Sequence, residues 1–297
     1  MITQLASYNI QYGKGKDGRF DFDRIVAELG TPDLVALQEV ERNNARRGMT
    51  DQVAEIAARM DHMHWVYGPG IDVDASNLGA AKPDHCRRQF GNMVLSRWPI
   101  LSVINHTLPK IALARIFHLQ RTLVETVIDH PTGPLRFCSV HLDHVSTDTR
   151  MAQVNYMVDL LCRGGERGAS WGGMLKTDDW MDRPAPPQPR RAVVMGDMNF
   201  APGGPEYTRV VGDLSKLHGR TVREGGLADA WLLAGHDENA GDTLPRDGRA
   251  PARIDHCFVT SDLIDAVSSM QVDEMAQGSD HQPIFVDLDL SQGVPLS

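Results

Sequence analysis

The sequence predicts an α+β fold, on three observations. Short apolar runs of strand length, such as Leu34-Val35-Ala36-Leu37, recur from one end to the other. Segments with apolar residues at helical spacing alternate with them. Turn formers separate the two, with 27 glycines and 17 prolines in the chain. Length alone would suggest two domains for 297 residues, but sandwiches of this size often form one, so residues 1–297 are read as a single domain. With 41% hydrophobic and 23% charged residues, the chain can bury a large core.

In order, a strand is expected over residues 2–10, with Asn9 at its end. Asp21 or Asp23 then caps a helix that carries Phe22, Ile25, Val26 and Leu29 on one face. The run 34–37 predicts a buried strand with Glu39 at its C-terminal end, and a helix is expected near 51–60, with Val53, Ile56, Ala57 and Met60 inward. Strands follow at 63–67, 92–96, 121–128 and 135–141, then a helix over 147–161 and late strands at 192–195, 254–259 and 284–290. Two segments break the rhythm. Residues 163–190, rich in Gly and Pro and holding Trp171 and Trp180, read as a loop insertion suited to walling a pocket around an apolar group. The polar stretch 236–252 reads as a second long loop.

Composition narrows the function. No apolar stretch approaches the roughly 20 residues of a membrane span. The first residues lack a basic region followed by an apolar one, so a cytoplasmic location is expected. Cys86, Cys138, Cys162 and Cys257 stand far apart, which argues for reduced thiols rather than structural zinc. The net charge of −9 disfavours a grip on long nucleic acid, whose affinity comes largely from basic groups on phosphates. The basic clusters Arg42/Arg46/Arg47, Arg87/Arg88 and Arg190/Arg191 are read as solvated faces, each of which could meet a phosphate.

Polar residues with chemistry gather at strand ends. Val193-Val194-Met195 runs into Gly196-Asp197-Met198-Asn199, and residues two apart on an extended chain face the same way, so Asp197 and Asn199 address one point. Glycine before the aspartate allows close approach of another group. His141 ends the strand before it, Glu39 and Asn9 end two others, and Ile254-Asp255-His256 and Ser279-Asp280-His281 stand at the starts of apolar strands. One carboxylate plus amides and oxygen donors, with two imidazoles nearby, suits a hard cation, magnesium, calcium or manganese, more than zinc.

Seven segments, in order, resemble the motifs of the endonuclease/exonuclease/phosphatase superfamily, which includes pancreatic deoxyribonuclease, apurinic-site endonucleases, neutral sphingomyelinases and inositol polyphosphate 5-phosphatases. They are Ser7-Tyr8-Asn9-Ile10, Leu37-Gln38-Glu39-Val40, Gly91-Asn92-Met93-Val94-Leu95-Ser96-Arg97, Ser139-Val140-His141-Leu142, Gly196-Asp197-Met198-Asn199, Arg253-Ile254-Asp255-His256 and Ser279-Asp280-His281. The resemblance implies a four-layer α/β/β/α sandwich of two mainly antiparallel sheets and a Mg²⁺-dependent phosphoesterase, with Mn²⁺ or Ca²⁺ as alternatives. It also implies roles. Glu39 would be the main metal ligand, with Asn9 beside it and Asp280 completing the shell. Asp197 would orient or deprotonate the attacking water, Asn199 would hold a phosphate oxygen, and His141 and His281 would donate to the charge developing at phosphorus. Asp229 would orient His281, and Arg121 would contact phosphate. In place of the Tyr-x-Pro-Asn stretch of apurinic-site enzymes stands His141-Leu142-Asp143-His144, which lowers abasic-site repair in rank. The expected substrate is therefore a small or lipid-borne phosphoester. A nuclease is the competing enzyme, and an inactive binding scaffold the reading from another class. The sequence does not specify the oligomeric state.

Overall fold

The computed structural model describes residues 1–77, 79, 81–82, 84–172, 184–245 and 252–291. In chain order the elements are β1 (Ile2–Asn9), α1 (Phe22–Leu29), β2 (Leu34–Arg42), α2 (Gln52–Arg59), β3 (His64–Asp74), β4 (Arg87–Ser96), β5 (Ile100–Thr107), β6 (Thr122–Ile128) and β7 (Leu135–His141). Then come α3 (Thr147–Cys162), α4 (Gly164–Arg167), β8 (Ala192–Asp197), α5 (Pro205–Val211) and the two-residue strands β9 (Leu214–Ser215) and β10 (Gly219–Arg220). β11 (Leu227–Asp229), α6 (Ala230–Leu233), β12 (Asp255–Thr260), β13 (Val267–Val272) and β14 (Ile284–Asp289) complete the described chain.

Two six-stranded sheets result, ordered β13-β14-β1-β2-β4-β3 and β11-β12-β8-β7-β6-β5. Only β1/β2 and β7/β8 pair in parallel within them. Leu5, Leu34, Ala36 and Val94 of the first sheet meet Val124, Phe137, Val193 and Cys257 of the second in a central core. The alternate residues face outward. Ala6, Tyr8, Val35 and Leu37 pack under Ile25 and Leu29 of α1 and Val53 and Ile56 of α2. On the other side Cys138, Val140 and Val194 pack under Val154 and Met157 of α3 and Tyr207 and Val210 of α5. The order helix, sheet, sheet, helix is the expected sandwich. Strands covered on both faces read as continuous apolar runs, which made their central members visible in the sequence.

Aspartate and serine caps fix the helix starts: Asp21 accepts from Arg24 N, Asp51 from Ala54 N and Ser146 from Thr149 N. Between the sheets a polar seam interrupts the central core. Gln38 donates to Ser139 Oγ at 3.0 Å and to Ser7 Oγ at 3.2 Å, tying β2 to β7 just below the ends of the strands. Because burying an amide costs free energy unless its bonds are met, this seam fixes how the two sheets sit on each other.

Only part of the insertion expected at 163–190 lies among the described residues. Residues 173–183, Trp180 among them, fall outside the described residues. Of those described, Gln188 donates to Glu125 Oε1 at 3.0 Å and the Arg190 carbonyl accepts from Arg136 at 3.0 Å. Arg136 lies near the start of β7, five residues and so roughly 17 Å from His141 at its end. The described part of the insertion is thus held at the far end of the second sheet.

Candidate active site

Alternation along five strands sends Asn9, Gln38, His141, Asp197 and Asp255 to the same inter-sheet side as the central core. Asn9, His141, Asp197 and Asp255 stand at strand ends, where that core opens to solvent, and Gln38 lies just below them. Across the second sheet Asp197 pairs with His141 on one side and Asp255 on the other, so three chemical side chains form one row. Gly196 takes a φ of 148°, and a Cβ there would fall on the Val140 carbonyl, so this close approach of β8 to β7 requires glycine. Glu39 reaches the same space by another route. Leu37 pairs with Met93 and Val40 with Gly91, leaving an irregularity between them where Glu39 has a φ of 58°. A bulge of this kind re-aims one side chain out of the strand's alternation.

These groups line a cleft of about 970 Å³ whose floor holds Glu39, Arg121, His141, Asp197, Asn199 and His281. Asn9 Nδ2 donates to Asp197 Oδ2 at 2.9 Å and makes a longer contact of 3.4 Å with Glu39 Oε1. His141 Nε2 lies 3.3 Å, and His281 Nε2 3.7 Å, from the same Asp197 oxygen. The other oxygen, Oδ1, accepts the Asn199 N–H at 2.9 Å, while Asn199 Nδ2 donates to the Leu142 carbonyl at 3.1 Å. Burial raises the Asp197 carboxyl to about 7, the His281 charge opposing the shift. For His281 burial acts downward, but the Asp255 and Asp197 carboxylates outweigh it and hold the imidazolium at about 10.

The group that orients His281 is Asp255. Its Oδ2 accepts from His281 Nδ1 at 2.8 Å, and Thr243 Oγ1 accepts the backbone N–H groups of Ile254 and Asp255, at 3.1 and 3.0 Å. The role expected of Asp229 is corrected accordingly. Asp229 pairs across the sheet with Phe258, three residues and about 10 Å along from Asp255. Its carboxylate holds Arg253 at 3.0 Å and the Tyr207 hydroxyl at 2.7 Å. Both aspartates sit at a strand end, and only the antiparallel register separates them. Asp255 stood in a motif already singled out, and the Asp-His pairing with residue 281 is the signal that could have found it.

Arg121, expected to contact phosphate, lines the cleft and is also engaged by two histidines. It is 3% exposed, and its two terminal nitrogens donate to Nδ1 of His141 at 3.1 Å and to Nδ1 of His144 at 2.9 Å. A guanidinium can only donate, so both imidazoles accept at Nδ1 and carry their proton on Nε2. Burial and then the Arg121 charge lower both histidines below the usual range. His144 was not anticipated as a member of the site.

Among the three expected metal ligands, Glu39 turns a carboxylate 21% exposed into the cleft, and its Oε2 has no hydrogen-bond partner among the described residues. Burial raises this carboxyl, with Arg121 and His281 opposing and the Asp280 charge adding to the rise. Asp280 accepts from Gln11 Nε2 at 2.8 Å, and Asn9 Oδ1 accepts the Gln11 N–H at 3.1 Å. A half-satisfied carboxylate beside an amide and a second carboxylate is a donor set that fits a hard divalent cation. The ligand atoms of Asp197, Asp255 and His281 also lie within 4.8 Å of one another. There the His281 imidazole is hydrogen-bonded to Asp255 at 2.8 Å and stands 3.7 Å from Asp197, so its two nitrogens already face the two carboxylates.

The family model described as Endonuclease/Exonuclease/phosphatase family matches residues 6–281. A search of curated proteins gave no match. Solved structures share the fold. An endonuclease/exonuclease/phosphatase from Beutenbergia cavernae is 23% identical, with TM-score 0.64, over 97% of this chain and 71% of that one. The Bacteroides thetaiotaomicron mannosyl-6-phosphatase is 16% identical, TM-score 0.64, over 97% and 99%. The Danio rerio TDP2 complexed with single strand DNA product is 18% identical, TM-score 0.60, over 97% and 99%.

Proposed function

We propose, for a chain that belongs to the Endonuclease/Exonuclease/phosphatase family, that its cleft hydrolyses a small or lipid-borne phosphoester with the aid of a divalent cation. The observation that carries this is the Asp197 carboxylate, in register with His141 and Asp255 and facing three N–H donors, Asn9, His141 and His281, at the floor of the cleft. The side chains gathered around Asp197 come from residue 9 to residue 281, so the reading treats the chain as one catalytic domain.

The chemistry follows from where protons sit. Asp197 takes a proton as the water oxygen bonds to phosphorus and the ester bond breaks. The ester oxygen leaves with the bonding pair and accepts a proton from His281. Asp197, 3.7 Å away, then returns its proton to that imidazole, so the cycle closes with one water consumed. His141 Nε2–H and the second N–H of the Asn199 amide donate to the phosphoryl oxygens as charge builds there. A divalent cation, Mg²⁺, Mn²⁺ or Ca²⁺, held by Glu39 with Asn9 and Asp280, would neutralise phosphate charge.

A panel of phosphate monoesters and diesters, assayed with Mg²⁺ and then with excess EDTA, tests the reading. Turnover should require the cation. Equal turnover in EDTA, or none on any ester, would sink it. A nuclease is the second reading, favoured by the arginines of the cleft: Arg46, Arg47, Arg88, Arg121 and Arg150 line it against Glu39, Glu41 and Asp197, five arginines to three carboxylates in a chain of net charge −9.

A further inference from the structure

We propose that Arg46, Arg47 and Arg88 form a second anion subsite, and that the preferred substrate carries a further phosphate beyond the scissile one. This rests on the phosphoesterase reading of the same cleft, which the three arginines line together with Glu39 and His281.

Two neighbouring elements bring them together. Arg46 and Arg47 lie in the 3-10 turn Ala45–Arg47 that follows β2, and Arg88 lies in β4 beside it, where Arg42 pairs with Gln89. On β4 every second residue faces the inter-sheet side. Asn92 does so inside the core, donating to the Thr122 and Ser139 carbonyls, and Phe90 and Arg88 continue the same face past the core's end. Register puts Ile71 opposite Phe90 and Val73 opposite Arg88 on β3.

The ion pairing is selective. In the same two clusters Arg42 is paired with Asp51 at 2.6 Å and Arg87 with Asp72 at 2.8 Å. Among the described residues no carboxylate lies within 4.0 Å of Arg46 or Arg88, although the chain has 39 acidic residues against 30 basic ones. Arg47 is only loosely paired, 3.7 Å from Glu41, and its guanidinium is fixed over the Tyr12 ring at 3.8 Å from the centroid. Glu41 faces all three arginines but offsets only one of their charges, so an anion seated among them adds neutralisation. Guanidinium forks match phosphate geometry.

Between these arginines and the catalytic floor the cleft is apolar. Ile71, Val73 and Phe90 form one wall, and Phe117, 80% exposed, lies on the segment between β5 and β6. The ligand that fits is a phosphoester whose second phosphate is separated from the first by a ring or other largely apolar unit. A nucleotide unit and a polyphosphorylated cyclic polyol both offer that chemistry.

The test uses the full chain and the double variant Arg46→Ala/Arg88→Ala, with Arg46→Lys/Arg88→Lys as the charge-conserving control. Thymidine 5′-(p-nitrophenyl phosphate) is compared with its 3′-phosphorylated form, and inositol 1-phosphate with inositol 1,4-bisphosphate. Wild type should favour the member with two phosphates in at least one pair, and the pair that shows it identifies the source. The alanine variant should lower that kcat/KM ratio by about 10- to 100-fold, and the lysine variant should retain part of it. Binding of adenosine 3′,5′-bisphosphate against adenosine 5′-monophosphate, followed by calorimetry, reads the subsite without turnover. If no ester is hydrolysed, the phosphoesterase reading fails while this arm still decides the subsite. No preference for the second phosphate in wild type, or a preference unchanged in the alanine variant, overturns the proposal.

Discussion

Asp255 Oδ2 accepts the Nδ1 proton of His281 at 2.8 Å, and through that one bond the second sheet fixes an imidazole carried on the loop before β14. Asp255→Asn would turn a donor amide or a weaker acceptor toward that ring. The imidazolium would lose the carboxylate that most raises its affinity for a proton. Activity should fall by about 10²-fold or more with a melting temperature near wild type. Asp229→Asn should behave in the opposite way. It leaves buried Arg253 without its carboxylate, a change on the order of 3–5 kcal/mol, so the melting temperature should drop sharply. Thermal melts and kcat measured on both variants separate the two aspartates. A stable Asp229→Asn with lost activity, beside an active Asp255→Asn, would reverse the assignment.

Arg121 and the two imidazoles it bridges give a second expectation. A lysine ammonium is a point donor on a flexible stem and cannot reproduce the planar fork that meets His141 and His144 together. Arg121→Lys should therefore lower kcat by about 10²-fold, because His141 loses its fixed tautomer. His144→Ala should act mainly on KM, raising it about tenfold, since it removes one N–H donor on the cleft wall. Steady-state kinetics of the two variants check this split. Wild-type kcat in Arg121→Lys would show that the bridge plays no part.

The cation site can be probed without turnover. Glu39→Gln keeps the shape of the side chain but removes the charge that faces the cleft, and Mn²⁺ affinity should weaken by at least about 10²-fold. Calorimetric titration of wild type and variant with Mn²⁺ measures it. Equal affinity in the two proteins would place the cation on other ligands.

Legibility in the sequence followed burial. β1, β2, β7 and β8 are covered on both faces, so each reads as an apolar run, and the polar residue that ends the run marks the site; Asn9, His141 and Asp197 were visible for that reason. β5 and β13 were missed. They lie at sheet edges, and burial alternates along β5 with polar Ser102, Asn105 and His106 among its residues, so neither makes a run. The seven-residue α5 is too short for a helical period to show. At the site, the bulge that turns Glu39 and the register that parts Asp255 from Asp229 are tertiary facts with no local signature. Net charge is a sum of the same global kind: −9 is silent about Arg46 and Arg88 lining one cleft. Among the described residues the apolar wall of the cleft comes from β3, β4 and Phe117, while Gln188 and Arg190 of the expected insertion are tied to Glu125 and Arg136, and Trp180 lies outside the described residues.

Acid should destabilise the protein through His256. The ring is fully buried, donating from Nε2 to the Phe200 carbonyl at 3.0 Å and accepting at Nδ1 from Arg253 at 2.9 Å, which leaves no place for a second proton. Burial, followed by the Arg253 charge, lowers it from 6.5 to about 4. The unfolded chain takes up this proton near pH 6.5, whereas the folded chain resists it until about 4. The unfolded state therefore binds more protons between those values, and folding stability falls as pH drops through the window. Above pH 6.5 the contribution is complete. At about 1.4 kcal/mol per pH unit for one such group, the loss by pH 4.5 is on the order of 2–3 kcal/mol. Urea unfolding at pH 7.5, 5.5 and 4.5 should show it, and His256→Gln, although less stable at pH 7.5, should have a shallower slope across the same range. An identical slope in the variant would assign the acid sensitivity to other groups.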